Sequence, residues 1–259
     1  MAGPRQIHRA LFGHVAAFRF HSNHEARFSR LYAEDPHWDG DLAAFFAGFD
    51  WAVFVSADPD GCLTRRLERP DRPCPMFLHA PFPPFANQTP VRGRPPISKH
   101  HETLLVRLGC PVALLPSCAS GDGSLFLVQP GSGSPKKNWP AARFREVMET
   151  HRQLPWRVLL GPAEEGLRTE FKGFDLVMDR SLEEVRGLLV RNPFYLGNDS
   201  GISQWAGYLG CRGVLIVPRK NLWFHDPPWP GMTILETSDP SISPGVDEVS
   251  EAIRTYGMN

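Results

Sequence analysis

Apolar positions come in short groups broken by proline over the first part of the chain, whereas beyond residue 124 they follow a regular order of strand and helix periods. Ser124-Leu-Phe-Leu-Val-Gln129 predicts a buried strand, Pro140 to His151 a helix with proline in its first turn, and Trp156 to Gly161 a second strand. A helix is expected from Ala163 to about Lys172, then a strand from Asp175 to Met178. Ser181 to Arg191 follows as a helix opened by the Ser-x-x-Glu pattern SLEE, a capping box. Pro193 to Gly197, Ile202 to Leu209 and Gly213 to Val217 read as strand, helix and strand. Strands separated by single helices need right-handed crossovers and hence a parallel sheet, so this half is Rossmann-like.

The first half carries weaker periodicity. Leu42 to Gly48 predicts a helix and Asp50 to Ser56 a strand, ended by the turn Asp58-Pro-Asp-Gly61. Pro70 to Pro96 cannot form a long helix, because each proline removes a donor and restricts its predecessor, so an extended wall or loop is expected. Helical spacing returns at Ser98 to Gly109, and Pro111 to Gly123 is the linker candidate. The boundaries expected are 1–118 for an N-terminal domain and 119–259 for a C-terminal one.

Composition narrows the function. Lys plus Arg equals Asp plus Glu at 28 each, so no net field draws the protein to nucleic acid or to an anionic membrane, and any anion site must be local. No apolar run of about 18 residues is present to span a bilayer, and MAGPRQIHRALFGHVAAF lacks a small-residue cleavage site. Five scattered cysteines without C-x-x-C suit buried thiols in a reducing compartment, which makes a cytoplasmic location the expectation.

In such a sheet, ligands bind beyond the carboxyl ends of the strands. Two loops there carry chemistry. In QPGSGSPKKNWPAARF, Gln129 to Phe144, glycines permit close backbone approach, N–H groups at the next helix start favour an anion, and Lys136 and Lys137 add charge suited to a diphosphate. The same residues fit a plain glycine turn with exposed lysines equally well. The loop matches neither G-x-x-x-x-G-K-[ST] nor G-x-G-x-x-G, which disfavours nucleoside triphosphate and dinucleotide sites, and with the latter an oxidoreductase. In the second loop, Gly197-Asn-Asp-Ser-Gly201, Asp199 or Ser200 reads either as a helix N-cap or as a polyol and phosphate contact.

Taken together, LVQPGSGSPKKNWPAARFREV, LLGPAEE and SLEEVRGLLVRNPFYLGNDSGISQWAGYLGC resemble the C-terminal domain of the family-nine glycosyltransferases, the ADP-heptose:lipopolysaccharide heptosyltransferases, over roughly Leu125 to Pro218. The resemblance implies an α/β protein of two Rossmann-like domains facing a cleft, the GT-B type. It also implies an ADP-sugar co-substrate, no metal and no other cofactor, and inverting transfer to a glycan or lipid-linked glycan acceptor such as lipopolysaccharide. That acceptor leaves room for peripheral association with the inner face of the inner membrane. By position, Lys137 matches the diphosphate-binding lysine, and Ser132, Gly133 and Ser134 lie in the phosphate-cradling turn. Glu164 matches an acidic residue near the ribose, Arg180 and Ser181 lie where the nucleoside pocket begins, and Asp199, Ser200 and Gly201 match the diphosphate and sugar loop.

Two departures from the family pattern stand out. A histidine normally follows the Asp-Ser/Thr-Gly loop where this chain has Gln204, which hydrogen-bonds but does not titrate. Family members also begin with a strand leading to a Gly-Asp turn whose aspartate is the proposed base. FGHVAAF aligns better with a later segment, so the N-terminal domain is expected to be incomplete. Asp58 and Asp60 are the substitute base candidates, although DPDG is commonly a turn. His21, His24, His100 and His101 read as surface residues, and Trp205, Trp223 and Trp229 as packing. The aromatic loop Lys220 to Gly231 is a further candidate for substrate contact. A protein that keeps the donor pocket but does not catalyse transfer is the alternative function.

Overall fold

The computed structural model describes residues 28, 30–32, 38, 40–81, 97–109, 125–191, 194–225, 229–239 and 241–256. FGHVAAF, His21, His24, the 111–123 linker and the side chain of Trp223 lie outside them. The chain divides into two compact units, the larger containing residues 125–256 and the smaller containing 28–81 and 100–109.

The larger unit is a six-stranded sheet. Its strands are β3 (Phe126–Gln129), β4 (Trp156–Leu160), β5 (Asp175–Met178), β6 (Phe194–Asn198), β7 (Arg212–Pro218) and β8 (Met232–Thr237). All pairings are parallel and the order is β5-β4-β3-β6-β7-β8. β3 and β6 are buried along their whole length, as expected of strands covered on both faces. Because side chains alternate across a strand, Phe126, Val128, Phe194, Leu196, Val214 and Ile216 build one core, together with helices Ala141–Thr150 and Val246–Arg254. Leu127, Tyr195 and Leu215 point to the other face and are fully buried there. Tyr195 meets Ser203 of helix Gly201–Tyr208 on that side through a hydroxyl contact of 3.0 Å.

In the smaller unit, helix Gly40–Phe46, here α1, precedes β1 (Ala52–Val55), α2 (Cys62–Leu67), β2 (Met76–His79) and α3 (Ile97–Arg107), which belongs to this unit from His100 onward. β1 and β2 pair in parallel with α2 between them in sequence, and Leu31, Trp38, Leu42, Phe46, Leu63 and Leu67 form their core. In chain order the remaining helices are α4 (Ala141–Thr150), α5 (Leu182–Leu189), α6 (Gly201–Tyr208) and α7 (Val246–Arg254).

Most expected elements form within one or two residues of their sequence bounds. The stretch after β4 does not become an α-helix: Pro162–Leu167 is a 3-10 helix followed by turns. Gly166 lowers helix propensity there, and Gly173, at φ 100°, turns the chain into β5. Within the proline-rich stretch, four residues between Pro75 and Ala80 pair as β2, because the prolines stand at its ends where no ladder donor is lost. α2, β8 and α7 are additions to the expected elements.

Candidate functional site

The chain leaves β3 toward β4 on one side of the sheet and leaves β6 toward β7 on the other, so the loops after β3 and β6 diverge at the switch point, where α/β sheets bind ligands. Asn198, at the end of β6, joins these loops. Its Oδ1 accepts from the Trp139 backbone N–H at 2.8 Å, and its Nδ2 donates to the Pro130 carbonyl at 2.6 Å. Beneath it, Gln129 Oε1 accepts from Ser200 Oγ at 2.8 Å and Tyr195 OH at 3.1 Å. Ser200 also caps α6, accepting from the Ser203 N–H at 3.1 Å. The capping reading of Ser200 therefore holds, and its hydroxyl faces inward while α6 begins at Gly201.

Asp199 is the electrostatic centre. Its Oδ2 accepts from Lys137 Nζ at 3.0 Å and from Asn221 Nδ2 at 2.6 Å, and its Oδ1 meets His225 Nε2 at 3.0 Å. Its side chain is only 9% exposed. Burial pushes the carboxyl pKa up, but the hydrogen bonds from His225, Asn221 and Lys137, with the lysine charge, outweigh it and hold the group at about 2. Asp199 is thus an anion throughout the physiological range. A carboxylate offers about four lone-pair sites, and three are taken here.

The structure brings Lys137, Asp199, Ser200 and Gln204 together. Gln204 Nε2 lies 3.3 and 3.2 Å from the two ring nitrogens of His225, so the amide packs against the imidazole, and its Oε1 accepts from Trp229 Nε1 at 2.9 Å. A histidine therefore does reach Asp199, from the loop after β7. His225 and Asn221 were not singled out in the sequence; the signal was their place at the carboxyl edge of a buried strand, within the aromatic loop.

In the glycine turn, Ser132 Oγ donates to Asn138 Oδ1 at 2.5 Å and accepts from the Ser134 N–H at 3.2 Å, while Gly133 is exposed. Glu164 accepts from the Gly161 N–H at 3.0 Å and lies against Gly131, where any Cβ would overlap its side chain. Arg180 and Ser181 stand beyond β5, and both bond to Glu184, at 2.9 and 2.8 Å.

In the smaller unit, Asp58 and Asp60 do follow β1. Asp58 accepts from the N–H groups of Leu63 and Thr64 at 2.9 and 2.8 Å and from Thr64 Oγ1 at 2.7 Å, so it caps α2. Its slight burial pushes its pKa up, but these bonds prevail and lower it. Asp60 offers its backbone carbonyl to Arg65 at 2.8 Å. His100 and His101 are half-buried rather than exposed, and with His79 they form a cluster whose ring nitrogens lie within 4.8 Å of one another. A surface cavity of about 300 Å³ lined by Trp156 and Asp175 opens at the opposite, amino end of β4 and β5, away from this chemistry.

Fold and edge together define a doubly wound α/β sheet with a cluster of charged and polar side chains, Lys137, Asp199, Asn221 and His225, at its switch point. Residues 117–211 match the model of glycosyltransferase family 9 (heptosyltransferase). The segment includes Lys137, Glu164, Asp199 and Gln204, whereas Asn221 and His225 lie beyond it. Two solved structures share the fold. One is a family 9 glycosyl transferase from Veillonella parvula, at 16% identity, TM-score 0.52, and 82% and 68% coverage of this chain and that one. The other is the E. coli heptosyltransferase WaaC with ADP, at 14% identity, TM-score 0.58, and 90% and 79% coverage. A search of curated proteins finds no match. Among the described residues no helix is long and apolar enough to cross a membrane.

Proposed function

We propose that this protein binds an ADP-sugar at the edge formed by the loops after β3 and β6 and transfers its sugar, heptose or a close relative, to lipopolysaccharide or another glycan acceptor with inversion, at the cytoplasmic face of the inner membrane. The observation that carries the reading is the Lys137–Asp199 pair, which joins the glycine turn to the start of α6. A diphosphate arriving there meets the N-terminal N–H groups of α6 and the lysine charge, both suited to the negative charge that grows on the leaving group. Asp199, permanently ionised, repels phosphate and accepts hydroxyls, so it positions Lys137 and receives the sugar. That WaaC is solved with ADP supports ADP as the nucleotide. Lys137→Ala is expected to weaken ADP by about 1.5–3 kcal/mol, as for loss of one charge-assisted contact, and adenosine far less. Calorimetry showing equal losses for both ligands would remove Lys137 from the phosphate site.

A second reading, sugar-nucleotide binding without transfer, is favoured by one observation: the Asp58 carboxylate is engaged by the first turn of α2. A general base contributes about 100- to 10,000-fold, so its loss slows rather than abolishes transfer. Single-turnover assays with ADP-heptose and a lipid A-core acceptor decide between the readings. A slow rate unchanged in Asp58→Asn supports binding without efficient transfer, and an ordinary enzymatic rate that collapses in this variant identifies Asp58 as the base.

A further inference from the structure

We infer that His79, His100 and His101 form a zinc-binding site in the smaller unit, an inference that does not rest on the function proposed above. The three residues come from two elements. His79 ends β2, at the carboxyl edge of a parallel strand pair, where α/β sheets place ligands. His100 and His101 lie in the first turns of α3.

One ring nitrogen from each side chain lies within 4.8 Å of the other two. His79 Nε2 and His101 Nδ1 are 3.1 Å apart. Two nitrogens bound to one tetrahedral zinc at about 2.0–2.1 Å stand about 3.3 Å apart, so this pair is spaced for a shared ion already. The third ligand needs to close by at most about 1.5 Å, an adjustment within reach of side-chain rotation.

The surroundings match a metal site in two further respects. His100 Nε2 lies 2.8 Å from the Ala80 carbonyl, which can only accept, so Nε2 carries the proton and Nδ1 the lone pair. A backbone carbonyl that fixes the tautomer in this way is the common outer partner of metal-bound histidine. His79 is buried and its ring stacks on His100 at 4.4 Å between centroids. Burial first, and the neighbouring imidazoles and Arg107 next, lower the pKa of His79, and burial and His100 lower that of His101. Both shifts favour the neutral ring, the form that ligates.

The donor set selects the ion. Three imidazoles near the charge of Arg107, with no carboxylate in the cluster among the described residues, do not suit Mg²⁺ or Ca²⁺, which take oxygen ligands. Three nitrogen ligands suit zinc with a fourth position for water or another ligand. One proton now lies between His79 Nε2 and His101 Nδ1, so the donating ring must shift it to its other nitrogen when both ligate. No net proton is lost in that exchange.

The test uses the full chain, tag-free and stripped of metal. Titration with Zn²⁺ at pH 7.5 is expected to show one tight equivalent, and Co²⁺ in its place the strong visible bands of four-coordinate cobalt. His100→Gln and His101→Gln, on half-buried helix positions, are each expected to lower affinity by at least about 10- to 100-fold, the loss that outer-shell changes alone produce. Circular dichroism confirms that these variants fold, and His79→Ala is added where it folds. The absence of stoichiometric binding, an octahedral cobalt spectrum, or affinity unchanged in both glutamine variants would each overturn the site; the last would place zinc on other histidines.

Discussion

Asp199 illustrates how a single residue type acquires a role only from its neighbours. In sequence it was one member of Asn-Asp-Ser-Gly, open to the capping reading. In the fold, Ser200 takes the cap and Asp199 gathers Lys137, Asn221 and His225. Lys137 and Asp199 are 62 positions apart, so no local pattern could pair them. The consequence is measurable. Depression of this carboxyl from 3.8 to about 2 makes the folded state the weaker proton binder. Its contribution, about 2 kcal/mol by linkage, is fully present above about pH 4 and is lost as pH falls toward 2. Asp199→Asn should therefore be less stable than the parent at pH 7, with the gap closing between about pH 4 and 2. Urea midpoints measured across this range check it, and a gap that stays constant with pH would assign the loss to packing instead. The acidic pair Asp58 and Asp60 teaches the converse: DPDG was legible as a turn, and that is what the backbone bond from Gly61 to Asp58, at 3.2 Å, makes of it.

At the scale of elements, the sheet was legible because β3, β4, β6 and β7 are short apolar runs punctuated by glycine and proline, and α4 and α5 carry helical spacing. What escaped was set by pairing or by local substitution. β2 exists because Ala52 to Val55 offers it a partner in register with Met76 to His79, and nothing in MFLH alone distinguishes it from loop. The 3-10 turn after β4 escaped because Glu164 uses its side chain to hold the Gly161 N–H, a bond that tightens the turn. Glycines separate the two demands placed on these elements. At Gly213 a Cβ would run into the backbone carbonyl of Tyr195 on the neighbouring strand β6, which cannot move without breaking the sheet. At Gly133 nothing lies within 4 Å of a Cβ. Gly213→Ala is accordingly expected to cost about 1–3 kcal/mol or more, and Gly133→Ala less than about 0.5 kcal/mol. ADP titration adds the functional half: Gly133→Ala should still weaken ADP if the turn closes on phosphate, whereas full stability with unaltered affinity would leave Gly133 a surface turn residue.

For the molecule as a whole, the decisive property is that the larger unit has its own core. The six strands from β3 to β8, with α4 and α7 packed on one face and α6 on the other, bury Val128, Val158, Leu196 and Val214 completely and need no strand from the smaller unit. Lys137, Asp199, Asn221, Gln204 and His225 all come from this same unit, and so do the bonds that orient them. A domain with one continuous core folds as a unit, and a site held entirely within it keeps its geometry when the rest is removed. A fragment from Gly121 to Asn259 is therefore expected to unfold in a single cooperative urea transition and to bind ADP with an affinity within a few-fold of the full chain. The contacts proposed for the diphosphate come from the lysine, the turn and the start of α6, which all belong to the larger unit. Two measurements on the fragment separate the ways this can fail. A broad, non-cooperative transition would show that the sheet depends on the smaller unit for stability. A cooperative transition with ADP binding lost would show that residues of the smaller unit complete the nucleotide site, and would move the donor pocket from one unit to both.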